Sequence, residues 1–137
     1  MRITASLILV ASMAGCTAGP PPPAAPLSAK QQGRMDQLLA NKTPGPPQSC
    51  IPSWRAHDMV VIDDDTIIFR ESPGRVWLQK PQNTCNLLSA GPYALVTRTT
   101  TTQLCRGEIG QVVDTMSGAN VGSCVMGDFI PYTRPGA

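Results

Sequence analysis

Cys50, Cys85, Cys105 and Cys124 are the residues whose type and number most clearly imply a chemistry. An even set of thiols in one small unit reads as two disulfides, made in an oxidising compartment. Three pairings are open. Cys50 with Cys85 and Cys105 with Cys124 is the expected one, because each bridge then brackets a compact run of predicted strands. Each bridge contributes about 2 to 4 kcal/mol, chiefly by restricting the unfolded chain. Zinc is the rival use of the same thiols, but no Cys-x-x-Cys pair occurs and His57 is the single histidine. No metal or other cofactor is expected.

The polar candidates are sparser. Arg106 and Glu108 flank Gly107 just after Cys105; in an extended segment they share a face and form a polar patch for a ligand carboxylate or a partner, or simply an ion pair beside a disulfide. Trp77 joins them as a candidate binding residue; Trp54 and Trp77 read first as core or rim packing, and either one, if exposed, marks a partner surface. His57 stands beside Asp58, but adjacent strand residues point to opposite faces, so Asp58 is badly placed to orient it. An enzyme would need His57 to converge with Glu108 or Asp128, and no nucleophile motif accompanies them. Asp63, Asp64 and Asp65 are consecutive, which suits a turn rather than the spaced ligands of a calcium loop. No catalytic residue is assigned, and the chain is not expected to be an enzyme.

The elements that must position these residues begin with an export signal. Arg2, the apolar run of residues 3–10 and the small residues before Cys16 read as a signal peptide over residues 1–15. Met13-Ala14-Gly15-Cys16 resembles the bacterial lipobox, which implies lipidation of Cys16 and a mature chain that begins there. Cleavage after Ala14 by the ordinary signal peptidase is the alternative, leaving a soluble periplasmic or secreted protein. Thr17 after the cysteine implies, by the same resemblance, the outer membrane and a domain facing the periplasm.

Residues 16–49 read as the lipidated cysteine and a Pro-rich tether, with one short helix from Ala29 to about Ala40. Ser28 and Gln31 form a potential capping box, and Met35, Leu38 and Leu39 a stripe at i, i+3 and i+4. Residues 50–137 read as one disulfide-stapled β-domain. Residues 59–62 and 66–69 are β-branched runs around the acidic turn, and residues 75–80, 93–103, 108–114 and 121–130 follow as further strand segments. The class is mainly β: a small antiparallel barrel or sandwich of six to seven short strands. The barrel is preferred, because closure removes the exposed edges of so short a β-chain.

Charge narrows the partners. From Cys50 onward there are seven Lys and Arg against eight Asp and Glu, and the chain holds only two each of Phe, Tyr and Trp. A near-neutral domain with so few aromatics offers no basic stacking platform, so nucleic acid is excluded as a partner.

The segments Leu39-Ala40-Asn41-Lys42-Thr43-Pro44-Gly45, Asp64-Asp65-Thr66-Ile67-Ile68-Phe69, Leu104-Cys105-Arg106-Gly107-Glu108-Ile109 and Gly122 to Tyr132 together are similar to short proteobacterial envelope lipoproteins built on one domain of unknown function. The resemblance covers roughly residues 38 to 132 and implies an envelope domain with paired cysteines. It implies no activity. The expected function is therefore a non-enzymatic binding or scaffolding module, held to the membrane by its N-terminal lipid and engaging an envelope protein or glycan. The alternative is an inhibitor of an envelope-directed hydrolase such as lysozyme, although Ser117-Gly118-Ala119-Asn120-Val121 lacks the Tyr that closes the inhibitor loop of those families.

Overall fold

A computed structural model describes Gly19, Pro23, residues 25–56 and residues 58–136. The signal peptide, Cys16 and His57 lie outside the described residues.

Helix α1 (Ala29–Leu39) starts where the capping box places it. The Ser28 hydroxyl accepts from the Gln31 N–H at 3.3 Å, and the Gln31 side chain accepts from the Ser28 N–H at 2.9 Å. At the other end Lys42 donates to the Leu38 carbonyl at 2.8 Å, a cation at the negative end of the helix. Eleven residues are too few for a stable isolated helix. Docking holds it: Met35, Leu38, Leu39 and Leu27 pack on Val60, Ile62, Ile68, Val76 and Leu78.

Those five residues form one face of an antiparallel sheet. Its strands are β1 (Thr43–Pro44), β3 (Met59–Asp63), β4 (Thr66–Ser72), β5 (Arg75–Gln79) and β10 (Phe129–Thr133), in the order β1-β10-β5-β4-β3. Thr66 to Phe69 are buried without alternation, because this strand is covered on both faces. The second face packs on two smaller sheets. One pairs β2 (Cys50–Pro52) with β7 (Gln103–Cys105); the other has the order β6-β8-β9, from β6 (Tyr93–Thr97), β8 (Ile109–Asp114) and β9 (Asn120–Val125). Between the layers lies the main core, with Ile51, Ile67, Phe69, Trp77, Leu104, Val112, Met126 and Phe129.

The fold is thus mainly β with one short helix, and the sandwich is the correct form of it. The preferred barrel is not: three separate antiparallel sheets, ten strands in all, leave β3 and β6 as unjoined edges. Most of the extra strands are two- or three-residue pieces. The run 93–103 also divides, because Thr99 to Thr102 do not continue the strand. Their hydroxyls bond locally, Thr99 to the Thr101 carbonyl at 2.6 Å and Thr101 to the Gln103 carbonyl at 3.1 Å. Such bonds compete with the ladder that threonine otherwise favours.

Two disulfides are present, but their pairing corrects the expected one: Cys50 joins Cys105, and Cys85 joins Cys124. Cys50 and Cys105 are directly opposite in the β2–β7 ladder. The Arg106 N–H to Ser49 carbonyl bond makes them a non-hydrogen-bonded pair, the position where facing Cα atoms come closest, here 4.0 Å. The second bridge ties the loop after β5 to β9. Two disulfides in so small a unit indicate an oxidising compartment. No helix among the described residues is long and apolar enough to cross a membrane.

Candidate functional site

A single 3-10 turn, Ser53–Ala56, carries the most distinctive surface of the molecule. It follows directly from β2, and the Ser53 N–H bonds the Thr102 carbonyl at 2.8 Å, so the turn is tied down at its first residue. Trp54 projects from it with 62% of its area exposed. Exposed tryptophan is costly, and here it does not lie loose. The Arg55 guanidinium stacks 4.7 Å from the Trp54 ring centre and 5.9 Å from that of Trp77.

Arg55 is fixed in turn by Glu71, near the end of β4. Glu71 forms an ion pair with Arg55 Nη2 at 3.2 Å and accepts from the indole Nε1–H of Trp77 at 2.9 Å, with Arg75 Nη1 at 3.9 Å. Only 14% of the Glu71 side chain and 22% of the Arg55 side chain reach solvent. A carboxylate that accepts from a buried indole and pairs with a half-buried guanidinium is well held. Trp77 Nε1–H, Glu71, Arg55 and Trp54 form one stack, from the core to the solvent.

No family model, curated protein or solved structure matches this chain.

The geometry therefore carries the functional reading, and it redistributes the residues singled out from sequence. Trp77 is 2% exposed and serves as the floor of the stack rather than its outer surface. Arg106 is exposed and pairs with Asp128 at 3.3 Å. Glu108 accepts from the Cys105 N–H at 3.0 Å, while its own N–H returns to the Cys105 carbonyl at 3.2 Å. This closes a tight turn whose third residue, Gly107, has φ of 88°, a conformation that glycine alone adopts without strain. The Cys-Arg-Gly-Glu segment is thus a turn that sets Cys105 against Cys50. Arg106 and Glu108 do not meet Trp77 in one patch.

The acidic triplet is a turn, as its composition suggests, with one further role. Asp63 accepts from the Asp65 N–H at 3.1 Å. Asp64 reaches across to the loop that carries Cys85, accepting from the Leu87 N–H at 3.0 Å and the Ser89 N–H at 2.7 Å. Asp114 does the same within its own turn, accepting from Met116 at 2.7 Å and Ser117 at 3.1 Å. The Ser117 and Met116 N–H groups hold its carboxyl below the usual aspartate range. These carboxylates are occupied by backbone donors. Likewise Arg70 and Asp58, beside the groove of about 550 Å³ between α1 and the β4–β5 hairpin, are already paired with each other at 2.8 Å.

The sequence reading missed Arg55 and Glu71 as a pair. Sixteen positions separate them, and only the packing of the 3-10 turn on β4 brings them together. The one signal was Trp54-Arg55 itself, an aromatic and a cation side by side just after a cysteine.

Proposed function

We propose that the chain is a lipoprotein of the cell envelope, anchored through Cys16, that works as a non-enzymatic binding module docking a partner on the Trp54 surface. The observation that carries this reading is the stack under Trp54. An exposed indole seated on an arginine that is itself clamped by Glu71 loses little conformational entropy when a partner covers it. Tryptophan and arginine are also the residues most enriched among energetically dominant interface positions. The oxidising compartment implied by the disulfides, and the lipobox-like start, favour the periplasmic side of the outer membrane as its place of work.

In-cell crosslinking of the tagged chain, followed by affinity capture and mass spectrometry, tests it. One envelope partner recovered with the native chain, and reduced at least tenfold by Trp54→Ala and by Cys16→Ala, is the expected result. A partner whose recovery is indifferent to Trp54→Ala removes the docking surface from this reading, and recovery indifferent to Cys16→Ala removes the anchor.

A further inference from the structure

The two central sheets leave a gap. β3 ends the five-stranded sheet and β6 ends the three-stranded one, and each has a long edge paired to no strand. In the β3–β4 ladder the Arg70 N–H bonds the Asp58 carbonyl, so Asp58 and Val60 address β4 while Met59 and Val61 turn their N–H and C=O groups outward. In the β6–β8 ladder the Thr115 N–H bonds the Pro92 carbonyl, so Ala94 and Val96 address β8 while Leu95, Thr97 and the Tyr93 carbonyl turn outward; the Tyr93 N–H is taken by the Gly91 carbonyl at 2.8 Å. Along the gap run two grooves. One, of about 580 Å³, lies between Met59 and the Leu95–Thr97 stretch, with Arg98 on its rim. The next, of about 480 Å³, lies between Val61 and Tyr93, with Lys30 and Arg34 on its rim. Met59 lines both, so they adjoin at that side chain.

Other edges of this fold are protected. Beyond β9, the Asn83 side chain accepts from the Val125 N–H at 2.8 Å and approaches the Ser123 carbonyl at 3.4 Å, and the Gln82 N–H bonds the Val125 carbonyl at 2.8 Å. At the far edge of the large sheet, β1 is two residues long and contains Pro44. Along β3, Arg34 Nη1 lies 3.5 Å from the Val61 carbonyl. Along β6 the Tyr93 N–H is taken by the Gly91 carbonyl at 2.8 Å, but among the described residues nothing of the kind covers Leu95 or Thr97. An unprotected edge is a template for another strand.

We infer that the gap between β3 and β6 is a peptide-binding groove, in which an extended segment of a partner protein adds as a strand on β6. This rests on the reading of the domain as a binding module and names its partner's chemistry. The outward backbone groups of Leu95 and Thr97 demand an extended main chain, and the walls of Met59, Val61 and Leu95 suit apolar or β-branched side chains on one face. Charge specifies the ends. Lys30 and Arg34 stand at one end and Arg98 at the other, no carboxylate lines either groove, and none of the three has an ion-pair partner among the described residues. From Tyr93 to Arg98 the strand advances roughly 17 Å. The segment therefore carries acidic residues on both sides of about five extended positions.

The test is fluorescence anisotropy of the full chain in detergent micelles with a labelled peptide, Glu-Val-Thr-Val-Thr-Val-Glu. Two control peptides carry Lys at both ends or Pro at the centre. The acidic peptide binds, and both controls bind at least about tenfold more weakly. Thr97→Pro removes one outward N–H and no ladder bond, and weakens binding about tenfold, the contribution of one good hydrogen bond. Arg98→Glu, which leaves the backbone untouched, weakens the acidic peptide and strengthens the Lys peptide. Equal binding of the acidic and Lys peptides, or indifference to both substitutions, overturns the inference. So does a concentration-dependent dimer abolished by Thr97→Pro, which assigns the edge to a second copy. A cellular partner whose capture needs Trp54 but tolerates both substitutions also overturns it, while leaving the Trp54 surface standing.

Discussion

Replacing Glu71 by Ala removes the carboxylate at the centre of the Trp54 stack, and the cost can be worked from its three neighbours. Trp77 Nε1–H, on a ring that is 2% exposed, loses its acceptor at 2.9 Å, which costs about 1 to 3 kcal/mol for a buried donor left unpaired. Arg55 loses its ion-pair partner at 3.2 Å, and its Nε–H, already without an acceptor among the described residues, offers no compensation. Breaking a fully buried pair costs about 3 to 5 kcal/mol, and the partial exposure of Arg55 reduces its share to about 2 kcal/mol. Arg75, at 3.9 Å and well exposed, adds nothing measurable. The sum is about 3 to 5 kcal/mol, or a fall in Tm of about 12 to 20 °C at roughly 4 °C per kcal/mol for a unit of this size. Glu71→Gln keeps an acceptor for Trp77 and loses only the charge, so its fall is about 4 to 8 °C. Thermal denaturation followed by circular dichroism, with the disulfides intact, measures both. A fall of under about 4 °C for the Ala variant, or an equal fall for both variants, refutes the reasoning that the carboxylate carries the stack.

Three further outcomes follow from other parts of the structure. A Cβ on Gly127 would collide with the backbone carbonyl of Lys80, so Gly127→Ala costs about 3 kcal/mol or more, while Gly33→Ala, in open space on α1, gains about 0.5 to 1 kcal/mol. Equal melting temperatures for the two variants would contradict this. Peptide mapping without reduction recovers Cys50 linked to Cys105 and Cys85 linked to Cys124, each closing a loop of 55 or 39 residues that contributes about 4 kcal/mol; a Cys50–Cys85 peptide from the folded chain would overturn the pairing. Asp114 has its pKa lowered by the Ser117 and Met116 N–H groups, so its stabilisation is present above the unfolded aspartate range and is lost as pH falls through the folded value. The Tm difference between the native chain and Asp114→Asn should therefore shrink from about pH 5 to about pH 2, and a constant difference would point to packing instead.

Features written within a few neighbouring residues were legible in the sequence. α1 was, because Ser28 and Gln31 cap it and Met35, Leu38 and Leu39 share one face. So was the β3–β4 hairpin, since two β-branched runs flank an acidic turn. What failed depended on partners distant in the chain. β2 is three residues long and has no pattern of its own, so nothing in Cys50-Ile51-Pro52 revealed that it lies against Cys105. Thr99 to Thr102 have strand propensity, yet their hydroxyls bond the adjacent backbone and the chain leaves β6 there. Closure was favoured on general grounds, whereas the chain guards its β9 edge with Asn83 and leaves β6 open. At the site, Trp77, a candidate binding residue from the sequence, sits beneath the surface, because Glu71 draws its indole N–H inward and Trp54 is left outermost.

The order of the four paired cysteines has a consequence for survival among proteases. Cys50–Cys105 and Cys85–Cys124 interlace along the chain rather than following one another. A cut between Cys50 and Cys85 is spanned by the first bridge, one between Cys105 and Cys124 by the second, and one between Cys85 and Cys105 by both. A single nick anywhere from Cys50 to Cys124 therefore leaves one covalent molecule. Had each cysteine joined its neighbour in sequence, one cut in the Ser89–Pro92 loop would have split the domain into two separable halves.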